Sequence, residues 1–168
     1  APAASTAMGF FSQMFKLREQ NPDSQETTWA FEDNASELVL DADYARTLAS
    51  EFDIDAAIVS HEDWKRRLRQ QLSGEIDTPI DLERLRDPKG CPLGQWLDGR
   101  GRELLGKYPA FEILMARHAY FHSQAAEVVE LSRAGEYDRA LHVFHGGYRH
   151  ASNQVILLLK ELKRSLGR

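Results

Sequence analysis

From Asp43 onward the apolar positions follow a helical rhythm. Tyr44, Leu48, Phe52, Ala56, Val59 and Trp64 recur at spacings of three to five, and good helix formers continue through Leu72 until Ser73-Gly74 stops the run. This predicts one long helix, bent near Asp53 to Asp55. Thr78-Pro79 opens a loop, Asp81 is placed to cap a short turn from Leu82 to Arg86, and Pro88-Lys89-Gly90-Cys91-Pro92 is a corner rich in helix breakers. Gln95-Trp96-Leu97 reads as a short helix ended by Gly99-Arg100-Gly101, with another from Arg102 to Lys107. Pro109 then begins a long helix carrying Phe111, Leu114, Met115, His118, Phe121, His122, Ala125 and Val128 on one stripe as far as Gly135. Tyr137 to Ser165 gives the last long helix, whose Val155-Ile156-Leu157-Leu158-Leu159 run is apolar on nearly all sides, so it is either central or shared with a partner. No alternating strand pattern, repeat or low-complexity tract follows Asp43. The expected class is all-α: an antiparallel four-helix bundle with a broken second element, spanning 43–168.

Residues 1–42 do not share this rhythm and are expected to form an acidic, partly irregular extension. Asn21-Pro22-Asp23-Ser24-Gln25-Glu26-Thr27-Thr28 reads as linker, while Trp29, Phe31 and Leu38-Val39-Leu40 suggest docking or a short strand. The apolar patch from Gly9 to Lys16 suits a fraying helix packed on the body or on a second copy, or else a peptide that docks on a partner or a membrane surface. Charge divides in the same place. Residues 1–60 carry 11 acidic against 3 basic side chains, and residues 61–168 carry 15 against 18. So small a basic surplus, without interleaved aromatics, argues against nucleic-acid binding, and Lys65-Arg66-Arg67 with Arg69 is most simply a solvated helical face.

The chain has 168 residues, room for one module and no second catalytic domain. With a single cysteine it has no internal disulfide, and it shows neither an 18-residue apolar run nor a signal-peptide pattern at Ala1 to Ala7. The expected location is therefore the reducing cytoplasm. Cys91 is left with three roles: buried filler, reactive thiol or metal ligand.

His118 and His122, four positions apart on one helical face, project their imidazoles about 6 Å apart along the axis, a separation that suits chelation. Two ring-shaped core residues would produce the same pattern. The rest of the set favours a metal. His61 interrupts an apolar stripe three residues before Trp64, and Cys91 sits where backbone N–H groups at a helix start favour thiolate. Three imidazoles and a thiolate form a borderline-soft donor set that suits tetrahedral zinc, and a site closed by four protein ligands disfavours hydrolytic catalysis. On this reading the protein is not an enzyme.

His61-x-x-Trp64, Cys91-x-Leu93-Gly94-x-Trp96-Leu97 and His118-x-x-Phe121-His122 stand in that order on three consecutive bundle elements. Together they resemble the chemoreceptor zinc-binding domain of bacterial signalling proteins, over roughly Asp55 to Leu162. The resemblance implies that His61, Cys91, His118 and His122 are the four ligands of a Zn2+ ion. It further implies a cytoplasmic four-helix bundle, typically a homodimer, working with chemotaxis or cyclic-di-GMP machinery. In the family, zinc occupancy or oxidation of the zinc-bound thiolate by hypochlorous acid changes the output. The receptor signalling hairpin and cyclase signature of such relatives are missing here, so the expectation is a stand-alone sensing subunit or a piece of a larger receptor.

Two other readings compete. A di-iron, hemerythrin-like bundle would need bridging carboxylates and Glu-x-x-His pairs, which the ligand helices lack. A metal-free interaction bundle would need no ligand set at all. His142, His145 and His150 are read as surface or pocket residues, the Gly146-Gly147 pair as permitting a close approach or a kink, and Trp64 and Trp96 as packing around the metal. Glu62 and Asp63 are read as solvated, with the option of holding the far nitrogen of a ligand histidine.

Overall fold

The structure, a computed structural model, describes residues 42–166. The expectations for Gly9 to Lys16, for the linker and for Trp29, Phe31 and Leu38-Val39-Leu40 lie outside the described residues. Within them the secondary structure is helical, without strands, in agreement with the all-α class.

The predicted first helix is two. Helix α1, Ala42–Glu51, ends where Phe52 and Asp53 leave the helical path, and α2, Ile54–Ser73, starts afresh. Asp53 is extended enough (φ −84°, ψ 89°) for its carboxylate to accept the Ala56 N–H at 3.0 Å, which makes it an N-cap rather than a bend. Helix α2 stops at Gly74, whose φ of 81° is open to glycine at little cost.

The broken element then returns along the body in short pieces: α3, Leu82–Arg86, capped by Asp81 as predicted; a 3-10 turn at Pro88–Gly90; α4, Pro92–Asp98; and α5, Arg100–Leu105. Arg100 and Gly101 lie inside α5 rather than in a stop after α4, so Gly99 alone separates the two helices. Helix α6, Pro109–Arg133, has proline in its first turn and ends before Gly135 at φ 79°. The last helix is continuous in direction but not in winding: α7, Tyr137–Val143, passes through a π-turn at Phe144–Tyr148 into α8, Arg149–Ser165. At Gly147 a Cβ would collide with the Gln124 amide, so this glycine admits a close approach from α6; Gly146 meets nothing within 4 Å.

Cross-contacts fix the running directions. His61 meets Phe121 while Gln71 meets Ser132, so α2 and α6 run parallel. Arg133 donates to the Ile80 carbonyl while His122 meets that of Leu85, so α3 runs against α6. Lys160 pairs with Glu62 and Lys163 with Asp55, so α8 runs against α2. The core between these helices includes Ile54, Leu68, Phe111, Leu114, Phe121, Val128, Tyr148, Val155, Leu158 and Leu159. Of the apolar run in α8, Ile156 and Leu157 are only half-buried, so the helix is central on one face rather than all round. The parallel course of α2 and α6 sets His61 level with His118 and His122.

Candidate metal centre

The sequence brings four donors to one point. His61 from α2, Cys91 from the turn before α4, and His118 and His122 from α6 place one ligand atom each within 4.8 Å of one another. The Cys91 Sγ lies 3.3 Å from His118 Nε2 and 4.0 Å from His61 Nε2, and the Nε2 atoms of His118 and His122 are 3.0 Å apart. A tetrahedral zinc with ordinary Zn–S and Zn–N lengths puts S and N about 3.6 Å apart and two N atoms about 3.3 Å apart. The two S–N spacings bracket the first of these values, and the His118–His122 spacing lies a little under the second. No carboxylate joins the group among the described residues, which removes the basis of the di-iron reading.

Backbone carbonyls orient two of the rings. His61 Nδ1 lies 2.7 Å from the Ala57 carbonyl and His122 Nδ1 lies 2.6 Å from that of Leu85. Each Nδ1–H donates there, which leaves the Nε2 lone pair facing the centre. Glu62 and Asp63 do not do this work. Glu62 pairs with Lys160 and Asp63 with Arg66, as their solvated reading expected. The carbonyl partners were invisible in the sequence because any residue supplies a carbonyl, and only the fold decides which one faces inward.

Electrostatics suit a cation. All three histidines are 2% exposed, and burial drives each pKa down, that of His61 to about 4, so they stand neutral and ready to donate lone pairs at pH 7. For Cys91 the expected thiolate bias is reversed. Burial raises its pKa more than the amides of Gly94 and Leu93 and the Arg84 charge lower it, so without a cation the sulfur keeps its proton. A metal ion would reverse this balance by direct ligation.

The turn that carries Cys91 depends on two glycines. A Cβ on Gly94 would collide with the Pro88 carbonyl and come 3.1 Å from His118 Cε1, and one on Gly90 would collide with the Arg84 carbonyl. The aromatic cover also differs from expectation. Phe121 packs on His61 and His122, with ring centroids 5.1 and 5.6 Å away. Trp96 instead stacks on Phe52 at 4.3 Å and rests where Gly101 has no side chain, while Trp64 lines a cavity beside Cys91. The sequence reading puts Trp96 with Trp64 around the metal, but five residues of helix beyond Cys91 turn Trp96 to another face. His142, His145 and His150 are exposed and take no part in the cluster.

No helix among the described residues is long and apolar enough to cross a membrane. Neither a curated protein nor a solved structure matches the chain. The family comparison, however, meets the same residues as the geometry: its match begins at His61 and takes in Cys91, His118 and His122. Residues 61–129 match the family model of the chemoreceptor zinc-binding domain.

Proposed function

We propose that His61 Nε2, Cys91 Sγ, His118 Nε2 and His122 Nε2 hold one Zn2+ ion in a closed tetrahedral site, and that occupancy of this site is the signal which the module reports. The observation that carries the reading is the convergence of three neutral, buried imidazoles and one thiol at spacings suited to that ion. When bound, zinc supplies a structural cross-link and no open coordination position, which argues for sensing over catalysis.

The chain's own residues provide the switch. The carbonyls of Ala57 on α2 and Leu85 on α3 hold two imidazoles in the donating tautomer, and α2 and α6 supply three corners of the tetrahedron. The fourth corner, Cys91, rides on the short elements between Asp81 and Gly99. Oxidation of its sulfur to a sulfenic acid, with hypochlorous acid reduced to chloride, would remove the thiolate donor and release that corner. Loss of zinc has the same mechanical result. We assign the sensing unit to 43–168 and a separate extension to 1–42, place the module in the cytoplasm as a homodimer, and take its output partner to be bacterial signalling machinery.

Metal analysis of protein purified without chelator, with thiol counting before and after hypochlorite, tests this. The expected result is one zinc per chain and a thiol protected until the oxidant arrives. Wild-type protein without stoichiometric zinc overturns the reading, as does a Cys91→Ser variant that binds zinc with undiminished affinity.

A further inference from the structure

The centre is closed on the side of the long helices and open on the side of the turn. A cavity of 340 Å3 reaches it there, bordered by Trp64, Arg67, Asp81, Arg84, Cys91 and His122. Two cations stand in this wall. Arg67 lays its guanidinium 4.0 Å above the Trp64 ring, and Arg84 is tied by its Nε to the Gly90 carbonyl at 2.8 Å, within the turn that presents Cys91. Neither of these contacts is with an acid and neither arginine forms a salt bridge among the described residues, although Asp63, paired with Arg66, lies near enough to feel the Arg67 charge. The single acid in the wall, Asp81, is already engaged by the backbone N–H of Arg84. Three neutral imidazoles and a thiolate around Zn2+ would add one further positive charge at the floor of the cavity.

We propose that this cavity is an anion-selective access site: Arg67 and Arg84 draw small monovalent anions, including the ionised forms of oxyacid oxidants, to the outer side of the Cys91 sulfur. The proposal deepens the zinc reading by naming the class of molecule that reaches the thiolate, and its arginine wall exists whether or not zinc is bound. Charge, not shape, does the selecting. The cavity is open and wet, so each arginine acts through a high dielectric and is worth a factor of roughly two to five in local anion concentration.

Paired alkylating probes test it on the full chain. Iodoacetate and iodoacetamide react alike: the Cys91 sulfur attacks the methylene carbon, the S–C bond forms, the C–I bond breaks and iodide departs. They differ in that only iodoacetate is anionic. The ratio of their rate constants, normalised to the same ratio for the unfolded chain, cancels the reactivity of the sulfur, including any effect of Arg84 on its ionisation. The expected outcome is a ratio that falls by roughly four- to twenty-five-fold in the Arg67→Gln/Arg84→Gln double variant, survives in Arg67→Lys/Arg84→Lys, and falls toward that of the unfolded chain in 1 M KCl. A ratio unchanged by the glutamine pair, or lost equally in the lysine pair, overturns the proposal. Measuring zinc stoichiometry on the same samples separates the two readings: an anion-biased ratio in a protein that holds no zinc leaves the access site standing and sinks the zinc centre.

Discussion

The two sides of the centre are built differently. His61, His118 and His122 project from α2 and α6, long helices that bury all three rings; those of His61 and His122 are also carbonyl-tethered and packed on Phe121. Cys91 comes from a 3-10 turn between short helices, is only partly buried, and borders an open cavity. One side is preorganised by the hydrophobic core. The other has little core of its own, with Leu85, Leu93, Leu97, Leu104 and Leu105 as its main anchors. A cross-link between a stiff part and a weak part does most of its stabilising on the weak part, so zinc matters most where the fold supplies least.

Removing zinc is therefore the largest perturbation and the most direct probe of the difference between the two sides. A structural site of this kind is worth on the order of 10 kcal/mol, comparable with the stability of a whole domain. Chelation should raise amide exchange across residues 88–98 by roughly two orders of magnitude or more, while the α6 segment 121–132 changes far less. Equal loosening of both segments, read by hydrogen exchange with mass spectrometry, would show that the two sides are a single cooperative unit.

The second test separates the sides by pH in the metal-free protein. Burial holds His61 at about 4 in the folded state, against about 6.5 in the unfolded chain. The unfolded state thus binds a proton that the native state refuses. Stability is fully present above about pH 6.5 and is lost as the pH falls toward 4, by about 3 kcal/mol for His61 alone. His118 and His122 are shifted in the same direction and steepen the loss. Cys91 acts in the opposite range, because its raised pKa lets the unfolded thiol ionise first, so stability declines again as the pH rises past the ordinary thiol value. Denaturation midpoints between pH 4 and 9 should trace a dome. A flat acid limb would mean that the imidazoles are wetter than their burial implies.

The same contrast governs what was legible in the sequence. Helical periodicity identified the long elements, Asp81 was recognised as a cap, the three histidines stood out because polar, metal-loving side chains on apolar stripes need a reason to be there, and Cys91 stood out as a lone thiol in a breaker-rich corner at a helix start. Three things were not legible. The break at Phe52-Asp53 was read as a bend, because apolar spacing runs on through it while Asp53 turns its carboxylate back to Ala56. The tethers of His61 and His122 are backbone carbonyls. The ionisation of Cys91 depends on burial, which outweighs the helix-start amides that the sequence does display.

The third test targets the weak side alone. Gly94→Ala puts a Cβ into the Pro88 carbonyl, backbone that cannot swing aside, and against His118. The turn must shift, and Cys91 with it. The expected cost is about 1–3 kcal/mol in thermal or denaturant unfolding of the zinc form, together with weakened zinc binding. A variant that loses stability but keeps full zinc affinity would show that Cys91 is positioned independently of this turn.

The smallest effect applies the same chemical change to the stiff side. Gly146 sits in the π-turn of the last helix, at no positive φ, and a Cβ there meets nothing within 4 Å. Gly146→Ala removes backbone freedom from the unfolded chain without adding a clash, so it should stabilise the protein by about 0.4–1 kcal/mol and leave zinc affinity unchanged. The neighbouring Gly147→Ala should destabilise slightly, since its Cβ would displace the Gln124 amide and press on the Tyr120 hydroxyl, side-chain ends that give at modest cost. Opposite signs at adjacent glycines, measured as shifts in the urea midpoint, would establish that the π-turn is held by the side-chain approach from α6. If both substitutions instead stabilised, the bulge would have relaxed to ordinary α-helix, and the last helix would be less stiff than α2 and α6.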